Sequence, residues 1–155
     1  MSEANTNWCQ SVTGVVIREG KVLLARHTYG SGKGKLIIPG GYVQMGEAPQ
    51  AAVIREFLEE TGVEVEPKEI IGIRFNNTCW YVAFRAEYIR GEARSDGDEN
   101  SEVLWIDVQE ALEREDVPGL TKKLIQSALS GGPGLVQTDY ESNPKSAPYS
   151  LYWTE

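Results

Sequence analysis

The sequence predicts an α/β (α+β) fold, one domain built on a mixed β-sheet with helices packed against it. Three observations lead there. β-like apolar runs stand before, between and after helical stretches, the order expected of a layered sheet-and-helix domain. Pro49 and Gly62 bracket a stretch of helical periodicity. From Trp80 to Tyr88 apolar side chains alternate with a period of two, the mark of a strand.

Residues 1–10 read as a short polar arm. Residues 12–17 and 21–26 are strand-like runs separated by Glu19-Gly20, a hairpin signal. A Gly- and Lys-rich loop fills residues 28–35, and residues 36–38 form a short apolar strand that breaks at Pro39-Gly40-Gly41. Pro49 suits the first helical turn, where its missing N–H costs nothing, and Gly62 suits the left-handed position past the helix end. Residues 70–75 and 78–89 are two strands joined at Asn76-Asn77. In the second, Trp80, Val82, Phe84, Ala86 and Tyr88 share one face, while Tyr81, Arg85 and Glu87 share the other. An acidic loop over residues 94–102 leads to a strand ending near Ile106, followed by helices at about 108–114 and 119–129. Residues 1–130 form the expected domain and residues 131–155 a C-terminal tail. Tyr140, Tyr149, Leu151, Tyr152 and Trp153 make this tail too aromatic for a disordered terminus, so we expect it to pack on the domain or on a second subunit as a homodimer.

A chain of 155 residues, 41% hydrophobic and 25% charged, can bury one sizeable core but not two ordinary ones. No apolar run is long enough to cross a bilayer, and the opening MSEANTNW lacks the parts of a signal peptide. We therefore expect a cytoplasmic protein with no membrane partner. Cys9 and Cys79 match no metal spacing; a disulfide is open on sequence, and in the cytoplasm two reduced thiols are the expectation. A net charge of −8 argues against long nucleic acid as a partner, since such binding rests on Lys and Arg neutralising many phosphates. A small phosphate ligand is compatible with it if divalent cations offset the carboxylates.

On a helical wheel Ala51, Val53, Ile54, Phe57 and Leu58 form one arc, expected to be buried, and Glu56, Glu59 and Glu60 lie opposite at i, i+3 and i+4. Ala52 sits in the glutamate sector and is small enough to leave the approach open. A solvated acidic face would account for three glutamates alone, with Arg55 relieving part of their repulsion. A hard divalent cation is the other account, because Mg²⁺ takes oxygen ligands and combines few carboxylates with waters and substrate phosphates.

Spacing separates the two. Gly41 is followed after five residues by Glu47, after seven more by Arg55-Glu56, then Phe57, Leu58, Glu59-Glu60, Thr61, Gly62 and Val63. This resembles the signature of the Nudix hydrolases at all its fixed positions, a match with chance odds of roughly 10⁻⁸ per starting point at average residue usage. The one departure is Phe57, where the family prefers an aliphatic residue; Phe is apolar, and a packing adjustment is expected. Leu36-Ile37-Ile38-Pro39-Gly40-Gly41 and Trp105 also look like the family, so the resemblance covers residues 11–129.

The resemblance implies an α/β/α sandwich around a mixed sheet and cleavage of nucleoside diphosphate derivatives with Mg²⁺ or Mn²⁺. It assigns Glu59 and Glu60 to the principal metal pair, Glu56 to their partner one turn earlier, and Arg55 to orienting the carboxylates. Glu47 pairs with Arg55 or helps hold metal or substrate, and Gly41, with Gly40 equally placed, lets backbone approach the metal. The base that takes the water proton is open between a signature glutamate and the loop acids Glu99 and Glu102, with Asp98 behind them. Glu102 is the preferred loop candidate, from its position before the Trp105 strand. For substrate contacts we single out Arg26 and Lys35 (with Lys33) for phosphate, and Trp80 or Tyr81 for stacking on a base. His27, the only histidine, could sit at the pocket edge. The expected partner is a small nucleotide. ADP-ribose is the first guess, a nucleoside triphosphate the second, and dinucleoside polyphosphates third; a non-catalytic nucleotide-binding module is the reading from another class.

Overall fold

The computed structural model describes residues 9–138, 144–145 and 150–154. In chain order the elements are β1 (Cys9–Arg18), β2 (Lys21–His27), β3 (Leu36–Ile37), β4 (Gly40–Tyr42), α1 (Pro49–Thr61), β5 (Glu64–Phe75) and β6 (Cys79–Arg90), then β7 (Asn100–Asp107), α2 (Val108–Glu113), α3 (Gly119–Leu129), β8 (Val136–Gln137) and β9 (Tyr152–Trp153). The first seven strands form one sheet whose path is β3-β2-β1-β6-β5, with β4 paired to β1 and β7 to β2. Only the β1–β6 pairing is parallel, so the sheet is mixed. Helices lie on both of its faces, giving the α/β/α layering.

Local chemistry accounts for the main connections. Glu19 (φ 53°) and Gly20 (φ 77°) both adopt left-handed backbone between the paired ends Arg18 and Lys21, the two-residue hairpin turn that matches strand twist. Asn76 Oδ1 accepts from the N–H groups of Thr78 and Cys79 at 2.8 and 2.7 Å and turns β5 into β6. Asp107 Oδ1 caps α2 by accepting from the N–H groups of Gln109 and Glu110.

Two apolar layers sandwich the sheet. Val15, Leu24, Leu36, Ile38, Ala83 and Ile106 pack beneath α2 and α3, where Leu124 and Ile125 close the layer. Val12, Val16, Leu23, Val65 and Phe84 pack beneath α1 through Val53 and Phe57. Alternation on β6 divides as expected, with Val82 and Phe84 in the α1 layer and Tyr81 against the other.

The structure corrects several expectations. The break at Pro39-Gly40-Gly41 continues as a short strand, Gly40–Tyr42, antiparallel to β1. β5 begins at Glu64, six residues before the apolar run at Ile70, because irregular pairing around Pro67 and Ile70 hides its alternation. α1 is rotated about its axis from the expected orientation. Ile54 and Leu58 are exposed, whereas Ala52, Val53, Phe57, Glu60 and Thr61 are buried. Gly14 explains the seating, since a side chain there would press on the Phe57 ring at 3.0 Å. Ala52 accordingly packs in the core and does not border an open approach.

Cys9 and Cys79 are joined in a disulfide, with Cα atoms 4.5 Å apart, in place of the expected reduced thiols. They are direct partners in the parallel β1–β6 register, which a separation of 70 residues does not reveal. Among the tail residues, β8 and β9 pair with each other, and Leu135 bridges Ile70 by two backbone hydrogen bonds of 2.8 and 3.0 Å. Tyr152 packs edge-on against Phe84 at 5.9 Å, and its hydroxyl accepts from Gln50 Nε2 at 2.9 Å. Tyr140, Tyr149 and the arm before Cys9 lie outside the described residues. Among those described, no helix is long and apolar enough to cross a membrane.

Candidate active site

The site is built on α1. Pro49 opens the helix at N1, and Gly62 closes it with φ 73° while its N–H donates to the Leu58 carbonyl. Thr61 Oγ1 donates to the Phe57 carbonyl at 2.6 Å and accepts from Val63 N–H at 3.1 Å, which turns the chain into β5. The following loop is tied back when Arg94 N–H donates to the Thr61 carbonyl.

Arg55 is the hub of the acidic network. Its Nε and Nη2 hold Glu47 in a two-pronged pair at 2.7 and 2.9 Å, Nη1 reaches Glu56 Oε1 at 2.8 Å and Glu59 Oε2 at 3.3 Å, and Nη2 donates to the Tyr42 carbonyl at 3.0 Å. The guanidinium, helped by Gln44 N–H, depresses the Glu47 pKa to about 2. Thus Glu47 is a fixed anion that orients Arg55, and Arg55 orients Glu56.

Carboxylate oxygens of Glu56, Glu60 and Glu99 all lie within 4.8 Å of one another. Glu60 is only 5% exposed. Burial, then the charge of Glu56, pushes its pKa up to about 9, against the opposing donation of Gly40 N–H to Oε2 at 3.2 Å. Burial also raises the Glu56 carboxyl, although Arg55 resists the shift. Among the described residues no Lys or Arg forms an ion pair with Glu60, so its charge has no cationic partner there.

Glu99 arrives from the other side of the site on a pinned loop. Thr28 N–H donates to the Glu99 carbonyl at 3.1 Å and Thr28 Oγ1 to the Asp98 carbonyl at 2.6 Å. Asn100, buried at the head of β7, donates through Nδ2 to the Glu60 carbonyl at 2.8 Å, while its own N–H donates to Asp96 Oδ1. Neither Asn100 nor Thr28 carried any sequence signal beyond lying near a loop.

Gly41 borders the cluster, and a Cβ there would overlap the Glu56 carboxyl group. Gly41→Ala should therefore displace Glu56 and weaken Mn²⁺ binding by about 10-fold, read by titration of the ion. Unchanged affinity would show that this contact leaves the carboxylates where they are.

A family model described as NUDIX domain matches residues 9–127. The chain belongs to the Nudix hydrolase family. It is 40% identical over 106 residues to a MutT-like protein of Streptomyces ambofaciens, covering 67% of each chain. It is 30% identical over 104 residues to an ADP-ribose pyrophosphatase of Methanocaldococcus jannaschii, covering 63% of this chain and 61% of the relative. A crystal structure of a NUDIX hydrolase from Nitrosomonas europaea superimposes with a TM-score of 0.74 at 25% identity, covering 84% of this chain and 77% of the other. The resemblance read from the Gly41–Val63 signature thus holds over most of the chain.

Within this Nudix frame the sequence-selected residues separate. Glu56, Glu60 and Gly41 meet at the cluster, with Arg55 and Glu47 behind them. Glu59, 62% exposed at its side chain, turns outward to Arg55 and is not one of the three clustered carboxylates. Glu102 and Arg26 are cross-strand partners on β7 and β2, joined at 2.5 Å, with Arg26 also held by Asp116 at 3.1 Å. The pairing occupies both, one chosen as a base and the other as a phosphate contact. Of the two loop acids, Glu99 reaches the cluster and Glu102 does not. Lys35 is exposed on its loop. Tyr81 packs against the core with the Arg74 guanidinium over its ring, whereas Trp80 is exposed and meets Phe75 edge-on at 5.2 Å. A cleft of about 900 Å³ between the start of α1, β5–β6 and Tyr152 is lined by Glu47 but by none of the three clustered carboxylates.

Proposed function

We propose that this Nudix hydrolase is a metal-dependent pyrophosphohydrolase that cleaves the diphosphate bond of a nucleoside diphosphate derivative, ADP-ribose first. One observation carries the reading: Glu56, Glu60 and Glu99 converge within 4.8 Å around a buried carboxylate that has no cationic partner among the described residues. Such an oxygen-only donor set suits Mg²⁺ or Mn²⁺, and Glu60 and Glu56 with Glu99 are the residues that would hold the ion. When bound, a divalent ion neutralises the diphosphate and lowers the pKa of an attacking water. Arg55, fixed by Glu47, keeps the Glu56 carboxylate turned inward. Glu99, the exposed member of the cluster, is the group we assign to take the water proton at a carboxylate oxygen. Glu59 holds Arg55 from outside, and Gly41 leaves the room that Glu56 occupies.

ADP-ribose is favoured by the similarity to an ADP-ribose pyrophosphatase, and a nucleoside triphosphate by the similarity to a MutT-like protein. The deciding experiment is a panel of ADP-ribose, dGTP and diadenosine tetraphosphate with Mg²⁺, following AMP, pyrophosphate or phosphate release. The expected result is the highest kcat/KM on ADP-ribose and no turnover in EDTA. No turnover of any compound, with bound Mn²⁺ demonstrated, would leave a binding module as the correct reading. A homodimer belongs to the same proposal and sedimentation reads it, whereas the Cys9–Cys79 disulfide does not favour the reducing cytoplasm expected from the sequence.

A further inference from the structure

The carboxylate cluster binds phosphates at most through an ion, so something else must recognise the rest of the substrate. Arg26 is already engaged with Glu102 and Asp116, and Arg55 with Glu47, Glu56 and Glu59, while Lys33 and Lys35 are exposed on the loop of residues 28–35. A nucleobase is neutral and planar, so its recognition calls for an aromatic surface and not for a cation.

Two exposed aromatic residues flank the cluster. Tyr29 directly follows Thr28, whose N–H is bonded to the Glu99 carbonyl, and is 54% exposed. Tyr42 directly follows Gly41, which lies against Glu56, and is 68% exposed. The Tyr42 carbonyl is fixed by Arg55. The Thr28–Glu99 backbone bond therefore sets Tyr29 beside the loop that brings Glu99 into the cluster.

Tyr29 is also presented on a built support. The His27 and Tyr29 rings stack with centroids 5.8 Å apart and planes 16° from parallel. The loop beneath them is closed by backbone bonds, His27 N–H to the Lys35 carbonyl at 3.0 Å and Gly34 N–H to the His27 carbonyl at 2.9 Å. Gly30 and Gly34 supply the left-handed positions, with φ of 72° and 80°, that this closure needs. A large ring held against another ring, yet more than half open to water, is an arrangement for receiving a third planar group.

We propose that Tyr29, backed by His27 and standing beside the Glu99 loop, is the stacking platform for the nucleobase of the substrate. This rests on the diphosphate-cleaving reading of the cluster and names the part of the substrate that the cluster does not touch. It replaces Trp80 and Tyr81 as the stacking residues, Tyr81 being packed against the core.

The test separates the platform from the chemistry. Tyr29→Ala should raise KM for ADP-ribose about 10-fold with kcat within about twofold, and Tyr29→Phe and Tyr29→Trp should restore KM because the ring and not the hydroxyl is used. With Mg²⁺ present, calorimetric titration with AMP should show the same loss for Tyr29→Ala, while ribose 5-phosphate binds wild type and variant alike. An unchanged KM and unchanged AMP affinity in Tyr29→Ala would overturn the proposal, as would a loss of kcat at constant KM. Should wild type hydrolyse nothing, the AMP titration still decides: ring-dependent AMP affinity keeps the platform while the hydrolase reading falls, and no AMP affinity removes both.

Discussion

Glu60→Gln should lose turnover by two to four orders of magnitude while making the metal-free protein more stable. Both effects come from one carboxylate. Its folded-state pKa is about 9, against an ordinary value of 4.5 in the unfolded chain. Between those values the folded state holds more protons than the unfolded state, so stability falls as pH rises. The favourable contribution is complete below about pH 4.5 and is lost as pH climbs through about 9. A neutral glutamine removes that slope. Melting curves of the metal-free proteins at pH 6 and pH 8.5 should show wild type weakening with pH more than the variant does. Saturating Mg²⁺ should flatten the wild-type slope and release a proton on binding, seen as buffer-dependent heat. Near-normal rates in Glu60→Gln would remove Glu60 from the metal site.

The second large effect separates Glu99 from Glu102. Glu99→Gln should cut kcat on the preferred substrate by roughly 10²- to 10³-fold with little change in melting temperature, since its side chain is exposed. Glu102→Gln should leave kcat within about threefold. It costs at most about 1 kcal/mol of stability, because its pairing with Arg26 is partly solvated and Arg26 keeps Asp116. Steady-state kinetics on both variants, with denaturation midpoints alongside, reads the difference. The reverse pattern would return the base to Glu102 and would mean that the Arg26 pair opens during catalysis.

Spacing made the signature visible, and Pro49 and Gly62 marked the ends of α1 to the residue. The orientation of that helix was not visible. A wheel sees only its own residues, whereas Gly14 on β1 and Gly41 on β4 form the floor onto which Phe57 and Glu56 descend. That floor draws Glu60 inward and leaves Ile54 and Leu58 in water, against their polarity. The choice of Glu99 over Glu102 depended on which of the two stood opposite a cation. Arg26 and Glu102 are 76 residues apart, and only the β2–β7 register brings them together. Tyr29 was passed over because an isolated tyrosine in a glycine-rich loop has no period; its meaning comes from the His27 ring behind it.

The link between Cys9 and Cys79 closes a loop of 70 residues that holds α1 and the whole signature. By the loop-entropy estimate such a closure disfavours the unfolded chain by about 4 kcal/mol, and it does so without touching any carboxylate of the cluster. Oxidation state thus sets how long the catalyst survives and leaves how fast it works to the glutamates. A cell, or an experimenter, could change the lifetime of this protein with a thiol reagent and find its rate per folded molecule unaltered.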